Sequence, residues 1–222
     1  MNEIEEYYCG PAVKSFSEKR WFDRPAAEDI PSCIFTQEKY RPLRQYALFR
    51  MGFSVVTIRN CRILREIIGD GKVLEVMCGL GSYTAALRSL GVDVRAADDM
   101  SWMESEKSRY RVWKENAWIG DIEPYDAVSA VRRYGPQVSF ILMSWPPQND
   151  PAARQTLEAM REVNPACRMI YIGEQRGGCT ADDSFFDSMI DVSGEYPQMN
   201  RLRETYRRWE NDGYFDAQYI VR

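Results

Sequence analysis

The chain has 222 residues, with 33 acidic against 29 basic side chains, a formal net charge of −4 and no histidine. That length suits one domain of generous size, and the acidic balance argues against attachment to nucleic acid by bulk electrostatics, while leaving a local basic groove open. The missing histidine excludes an imidazole base and a Ser-His-Asp arrangement, so acid–base work falls to carboxylates, tyrosines, a lysine or water.

Residues 1–45 have no clean periodicity and carry Pro11, Pro25, Pro31 and Pro42 among scattered aromatics. They read as an irregular, partly helical extension packed on a domain spanning 46–222. From Leu43 to Ile68, Val55, Ile58, Leu64 and Ile67 recur near helical spacing, and Gly69-Asp70-Gly71 ends that helix. Val73, Leu74 and Val76 suit a strand buried on both faces. Gly79 and Gly81 remove side chains where the backbone turns and a ligand can lie against it. Ala85, Ala86 and Leu87 continue a helix, and a second apolar run from Gly91 ends in Asp98 and Asp99. This order describes a βαβ unit that holds a nucleoside-like cofactor at the carboxyl ends of its strands. Asp98, with Asp99 as the alternative, is placed to accept from both ribose hydroxyls. Glu75 either orients the turn or meets an ammonium group. A nicotinamide-binding fingerprint is disfavoured because Thr84 stands where its third glycine belongs.

Ser101 to Glu115 is polar, with Trp102, Tyr110 and Trp113 interspersed. A short strand is predicted over Ala117 to Gly120, followed by Asp121-Ile122. Helices are predicted at Tyr125 to Tyr134, Pro151 to Val163 and Asp182 to Ile190. Strands are predicted at Val138 to Met143, Met169 to Ile172 and Phe215 to Val221, the last pairing with residues from Ile190 onward. The fold class is therefore α/β: a mostly parallel sheet with an antiparallel C-terminal strand and helices on both faces.

Ser144-Trp145-Pro146-Pro147 closes the strand before the helix at Pro151, where substrate chemistry belongs in an open α/β sheet. The prolines fix an extended backbone and remove amide donors. A carbonyl, the Ser144 hydroxyl and the Trp145 ring would grip a planar amine-bearing group; the plainer alternative is a stiff corner with Trp145 as packing. After the next strand, Glu174 precedes Gly177-Gly178, Thr180 and Asp182-Asp183. Glu174 reads as a substrate carboxylate or weak base, and the rest as a tight loop with a helix cap. The arginines at 201, 203, 207 and 208, diluted by Glu204 and Glu210, read as a solvated helix face before a nucleic-acid surface. Lys107, Arg109, Arg111 and Lys114 read the same way.

Glu75-Val76-Met77-Cys78-Gly79-Leu80-Gly81 resembles motif I of the class I S-adenosylmethionine-dependent methyltransferases, with Met77 in place of the first glycine. The resemblance implies a Rossmann-like fold. It implies cofactor contacts from Glu75, Met77, Cys78, Gly79 and Gly81, from Asp98 or Asp99 at the ribose, and from Asp121 and Ile122 at the adenine. Ser144 to Pro147 resembles the Pro-Pro motif of amino-methylating enzymes, with Trp145 inserted and Gln148 replacing the trailing aromatic. With the cluster from Tyr171 to Asp183, it is similar to methyltransferase-like proteins without an assigned substrate.

Six scattered cysteines without a Cys-x-x-Cys pair predict reduced thiols and no metal site. No apolar run approaches the roughly 18 to 20 residues of a membrane span, and the acidic start is unlike a signal peptide, so a cytoplasmic protein is expected. The expected activity is methyl transfer from S-adenosylmethionine to a nitrogen nucleophile, with substrate and oligomeric state open. The alternatives are an inactive methyltransferase fold used as a binding module, and an adenine exocyclic-amine methyltransferase.

Overall fold

The computed structural model describes residue 29 and residues 52–104, 117–207 and 216–222. The predicted boundary near residue 45, and the clusters at 107–114 and at 208, lie outside the described residues.

The chain alternates between strands and helices in the order that apolar runs and helical periods dictate. Helix α1 is Ile58–Ile68, β1 Val73–Val76, α2 Ser82–Ser89 and β2 Val94–Ala97. Then follow α3 Ala127–Tyr134, β3 Phe140–Ser144, α4 Ala152–Val163 and β4 Arg168–Gly173. The last elements are α5 Asp183–Ser188, α6 Gln198–Arg207 and β5 Ala217–Val221. Side-chain caps begin α1, α3 and α5: Thr57, Asp126 and Asp182 accept from the backbone N–H of Asn60, Ser129 and Phe185.

The sheet order is β2-β1-β3-β4-β5. β1 runs parallel to β2 and β3, β3 parallel to β4, and β5 antiparallel to β4. Single bridges extend both edges, Glu123 parallel to Ala97 and Asp191 antiparallel to Val221. This is the Rossmann-like α/β arrangement predicted, antiparallel last strand included. Alternate strand residues feed two cores. Val73, Leu142 and Ile170 pack with α1, α2 and α6. Leu74, Ile141 and Tyr171 pack with α3, α4 and α5 on the other face.

One predicted element is displaced. Residues 117–122 form no strand; the bridge beside β2 comes at Glu123, whose N–H donates to Ala96 and whose carbonyl accepts from Asp98. The apolar run Ala117 to Ile119 instead crosses the glycine turn. Trp118 N–H donates to the Leu80 carbonyl, and Ile119 lies against Gly81.

Candidate active site

β1 has β2 on one side and β3 on the other, so the order of the sheet reverses between β1 and β3. At such a switch point the connections leave in opposite directions and open a crevice at the strands' carboxyl ends. A cleft of about 1040 Å³ lies there, bordered by the turn after β1, the acids after β2 and the Ser144–Pro147 corner after β3.

The turn is built from left-handed backbone, with φ of 52° at Met77, 53° at Gly79 and 72° at Gly81. Gly81 N–H donates to the Cys78 carbonyl at 2.8 Å and starts α2. Glu75 locks the turn from below, because its carboxylate accepts the Thr84 backbone N–H at 2.8 Å and the Thr84 hydroxyl. Burial pushes the Glu75 carboxyl up to about 7, against the lowering effect of those two bonds. Burial likewise pushes the Cys78 thiol well above its usual range, as for a packed wall group.

Asp98 is 5% exposed and faces the cleft. One oxygen accepts Gly79 N–H at 2.7 Å; the other accepts Met100 N–H at 2.7 Å and the Trp102 indole N–H at 2.9 Å. Burial raises its carboxyl above the ordinary range despite these donors. Asp98 therefore ties the glycine turn to the loop after β2. Asp99 also borders the cleft, is exposed, and accepts Ser101 N–H at 2.9 Å.

At the other end Trp145 stands at φ 50°. Its backbone N–H donates to Ile172 and its indole N–H to Asp216 at 2.8 Å. The ring stacks on Phe53, centroids 5.7 Å apart and planes inclined by 17°. Pro146 and Pro147 also border the cleft, and the Pro146 carbonyl accepts Ala181 N–H at 3.2 Å.

Glu75, Met77, Cys78, Gly79, Asp98, Asp99 and the four residues Ser144 to Pro147 thus meet at one cleft. Four other sequence-derived candidates stand off it. Gly81 lies behind the turn against Ile119. Asp121 and Ile122 are not on the wall; Asp121 is exposed and paired with Arg88 at 2.7 Å, because the edge strand begins later than predicted. Glu174 is buried away from the cleft, its carboxylate accepting Cys179 N–H and its carbonyl the Tyr171 hydroxyl at 2.8 Å. Its carboxylate closes the 174–179 loop.

The structure adds residues that sequence reasoning missed. Tyr125, Asp126 and Ala127, just past the Glu123 bridge, border the cleft. The signal was an acid followed by an apolar residue at a helix start. Gly52, Phe53, Ser54 and Val56, just before α1, form another wall. Ser54 bonds the Tyr83 hydroxyl at 2.8 Å, and Tyr83 bonds Tyr206 at 2.5 Å, which anchors that segment to α2 and α6. Asp216 carried no sequence signal, standing 71 residues from Trp145.

No protein-family model and no curated protein matches the chain. Solved structures that match it include TehB from Haemophilus influenzae, 13% identical with a TM-score of 0.41 over 78% of this chain and 64% of that one. Another is a SAM-dependent methyltransferase from Agrobacterium tumefaciens, 13% identical with a TM-score of 0.40 over 75% and 62%. A third is human N-acetylserotonin methyltransferase in complex with SAM, 12% identical with a TM-score of 0.40 over 86% and 58%. The chain thus spans less than two thirds of the length of each of these three proteins. Fold and cleft together define a Rossmann-like α/β protein whose switch-point crevice joins a glycine turn, two acids and a Trp-Pro-Pro corner.

Proposed function

We propose that this chain is an S-adenosylmethionine-dependent methyltransferase that methylates a nitrogen nucleophile held at Ser144 to Pro147. Residues 46–222 would be its catalytic domain. The observation that carries this reading is the convergence of the glycine turn, Asp98 and Asp99, and the Trp-Pro-Pro corner on one crevice. The residues fit the cofactor: a Cβ built on Gly79 meets nothing within 4 Å, so the turn faces open space. Met77 packs against the core on the α3 side and borders that space without filling it. When bound, S-adenosylmethionine supplies an electrophilic methyl on a sulfonium.

The chain's own residues then bind and align. Asp99, and the remaining acceptor capacity of Asp98, hold the ribose hydroxyls. Tyr125 to Ala127 border the adenine end. At the far end the Ser144 hydroxyl accepts an N–H of the incoming amine and orients its lone pair. Alignment and exclusion of water supply most of the rate. With Glu174 outside the cleft, the amine enters neutral and its proton leaves to water after transfer. Free thiols at Cys61, Cys78, Cys167 and Cys179 support a reducing, cytoplasmic setting. No helix among the described residues is long and apolar enough to cross a membrane.

Titration calorimetry with S-adenosylmethionine, followed by tritiated-methyl transfer into fractionated cell extract, tests this. Heat of binding and label in an amine-bearing fraction are the expected results. Absence of heat would favour the second reading, a binding module on the same fold. Met77 at φ 52° in the turn is the feature in its favour.

A further inference from the structure

The loop that follows the Trp-Pro-Pro corner carries chemistry that the methyl-transfer reading leaves unused. Residues 145–152 are fixed by their own backbone. Trp145 N–H donates to Ile172 and Asn149 N–H to Ala181, the Pro146 carbonyl accepts Ala181 N–H, and Trp145 and Asn149 hold φ of 50° and 56°. Pro146, Pro147 and Pro151 have no N–H to offer. The Ala152 N–H is taken by one oxygen of Asp150 at 2.8 Å. The loop is therefore rigid, and most of its backbone donors are absent or spent.

Its acceptors are not spent. Asp150 borders the cleft, is half-buried, and keeps a second carboxylate oxygen beyond the bond to Ala152. Gln148 borders the cleft too, and its amide nitrogen donates to the Gly178 carbonyl at 2.9 Å, which leaves the amide oxygen available to a ligand. Gln155 lies three residues past Ala152 on the same side of α4, and both border the cleft. Asp126 differs, because both its oxygens already accept from Ser129. Arg154, the cation closest to Asp150 along the chain, is engaged by Ser184 at 3.0 Å and Glu158 at 2.6 Å. The positive end of α4 already has its anion, in Asp150. Acceptors on a donor-poor loop call for a group rich in N–H, and the carboxylate favours one that carries positive charge.

We propose that Asp150, with Gln148 and Gln155, anchors a primary ammonium or guanidinium group of the methyl acceptor, separate from the nitrogen that is methylated. The anchor rests on the methyltransferase reading only for the role of its ligand as acceptor; the binding claim stands by itself. Such an acceptor carries two nitrogen groups. The charged one holds the molecule at the start of α4, and the neutral one reaches the Ser144 hydroxyl. The separation matters because a protonated nitrogen has no lone pair to offer a sulfonium methyl.

The experiment uses the full chain and three probes of similar length: N-butylguanidinium, butylammonium and uncharged pentanamide. Saturation-transfer NMR titrations give their affinities, and calorimetry follows S-adenosylmethionine separately. The expected result is that a cation binds about threefold or more tighter than pentanamide and loses about tenfold in Asp150→Asn, in line with a charge-assisted hydrogen bond. That variant keeps an oxygen for the Ala152 N–H, so the urea midpoint should stay in place. Gln155→Leu, at an exposed position, should cost about threefold. A preference for the guanidinium marks a forked contact with the carboxylate and a preference for the ammonium a compact one; either supports the anchor when Asp150→Asn weakens it. Unaltered affinity in Asp150→Asn, or equal affinity for pentanamide, overturns it. In the tritium assay the labelled acceptor should be retained by a cation exchanger at neutral pH, and label confined to unretained material overturns the assignment of the cation to the acceptor. Heat with S-adenosylmethionine but binding of neither cation sinks this inference and leaves the methyltransferase reading intact. Cation binding that depends on Asp150, without heat from S-adenosylmethionine, does the reverse.

Discussion

Asp98 and Asp99 are adjacent in the chain and do different work. Asp98 accepts three protein donors and joins the turn after β1 to the loop after β2, whereas Asp99 is exposed with one donor from the backbone. A buried acceptor removed from three donors leaves each of them unsatisfied, at about 1–3 kcal/mol apiece in the worst case. Asp98→Ala is therefore expected to lower the urea midpoint strongly and to weaken S-adenosylmethionine as a consequence. Asp99→Ala is expected to weaken the cofactor by about 1–3 kcal/mol through lost ribose bonds, with the urea midpoint nearly unchanged. Calorimetry beside urea unfolding of both variants separates the two roles; the opposite pattern would make Asp98 the ribose residue. Met77 poses a related question of backbone conformation. Its φ of 52° is the conformation a glycine would adopt without strain, yet the residue there carries a thioether that forms part of the cleft wall.

The glycine turn works as an element because residues 117–119 cover it. A Cβ on Gly81 would stand 2.6 Å from Ile119 Cγ1, and φ there is 72°. Gly81→Ala should cost about 2 kcal/mol or more, part overpacking and part backbone strain. Trimming the neighbour with Ile119→Ala should recover only the overpacking part, so the double variant is expected to lie between wild type and Gly81→Ala once the Ile119→Ala cost is subtracted. A urea-unfolding double-mutant cycle gives that coupling, and strict additivity would mean that the two side chains do not compete for space. The same contact explains what the sequence could and could not disclose. β1, the turn, β2 and the corner after β3 were legible because apolar runs, glycines and prolines state local backbone requirements. The run at 117–120 looked like a strand because its apolar residues are needed; they cover a turn, a tertiary use that alternation does not encode. Glu174 looked functional for the same reason in reverse. A carboxylate after a strand end signals chemistry, yet here it satisfies the Cys179 N–H of its own loop. Asp216 was invisible because its partner is fixed by sheet order alone.

At the scale of the whole molecule, the sheet carries a core on each face and keeps three raised acids at its carboxyl edge, Glu75, Asp98 and Asp216. Burial holds the Glu75 carboxyl at about 7 and, despite the Trp145 indole, does the same for Asp216. In the unfolded chain both groups titrate near 4. Between about pH 4 and 7 the folded protein therefore keeps protons that the unfolded chain has released. Stability then falls as pH rises through that window, by up to about 1.4 kcal/mol per unit for each fully shifted group. Asp216 is only partly covered at the surface, so solvent screening makes its share smaller. Asp121 and Asp126 are shifted the other way, Asp121 by Arg88 and Asp126 by the Ser129 donors. Their contribution is present above the ordinary carboxylate range and is lost only in stronger acid, outside the window. Urea unfolding at pH 5, 6 and 7 should therefore give a declining free energy. Glu75→Gln, which still offers an oxygen to the Thr84 N–H, should flatten that decline while lowering stability at pH 5. A profile that rises from pH 5 to 7 in the wild-type protein would mean that the acid beneath the glycine turn is ionised throughout.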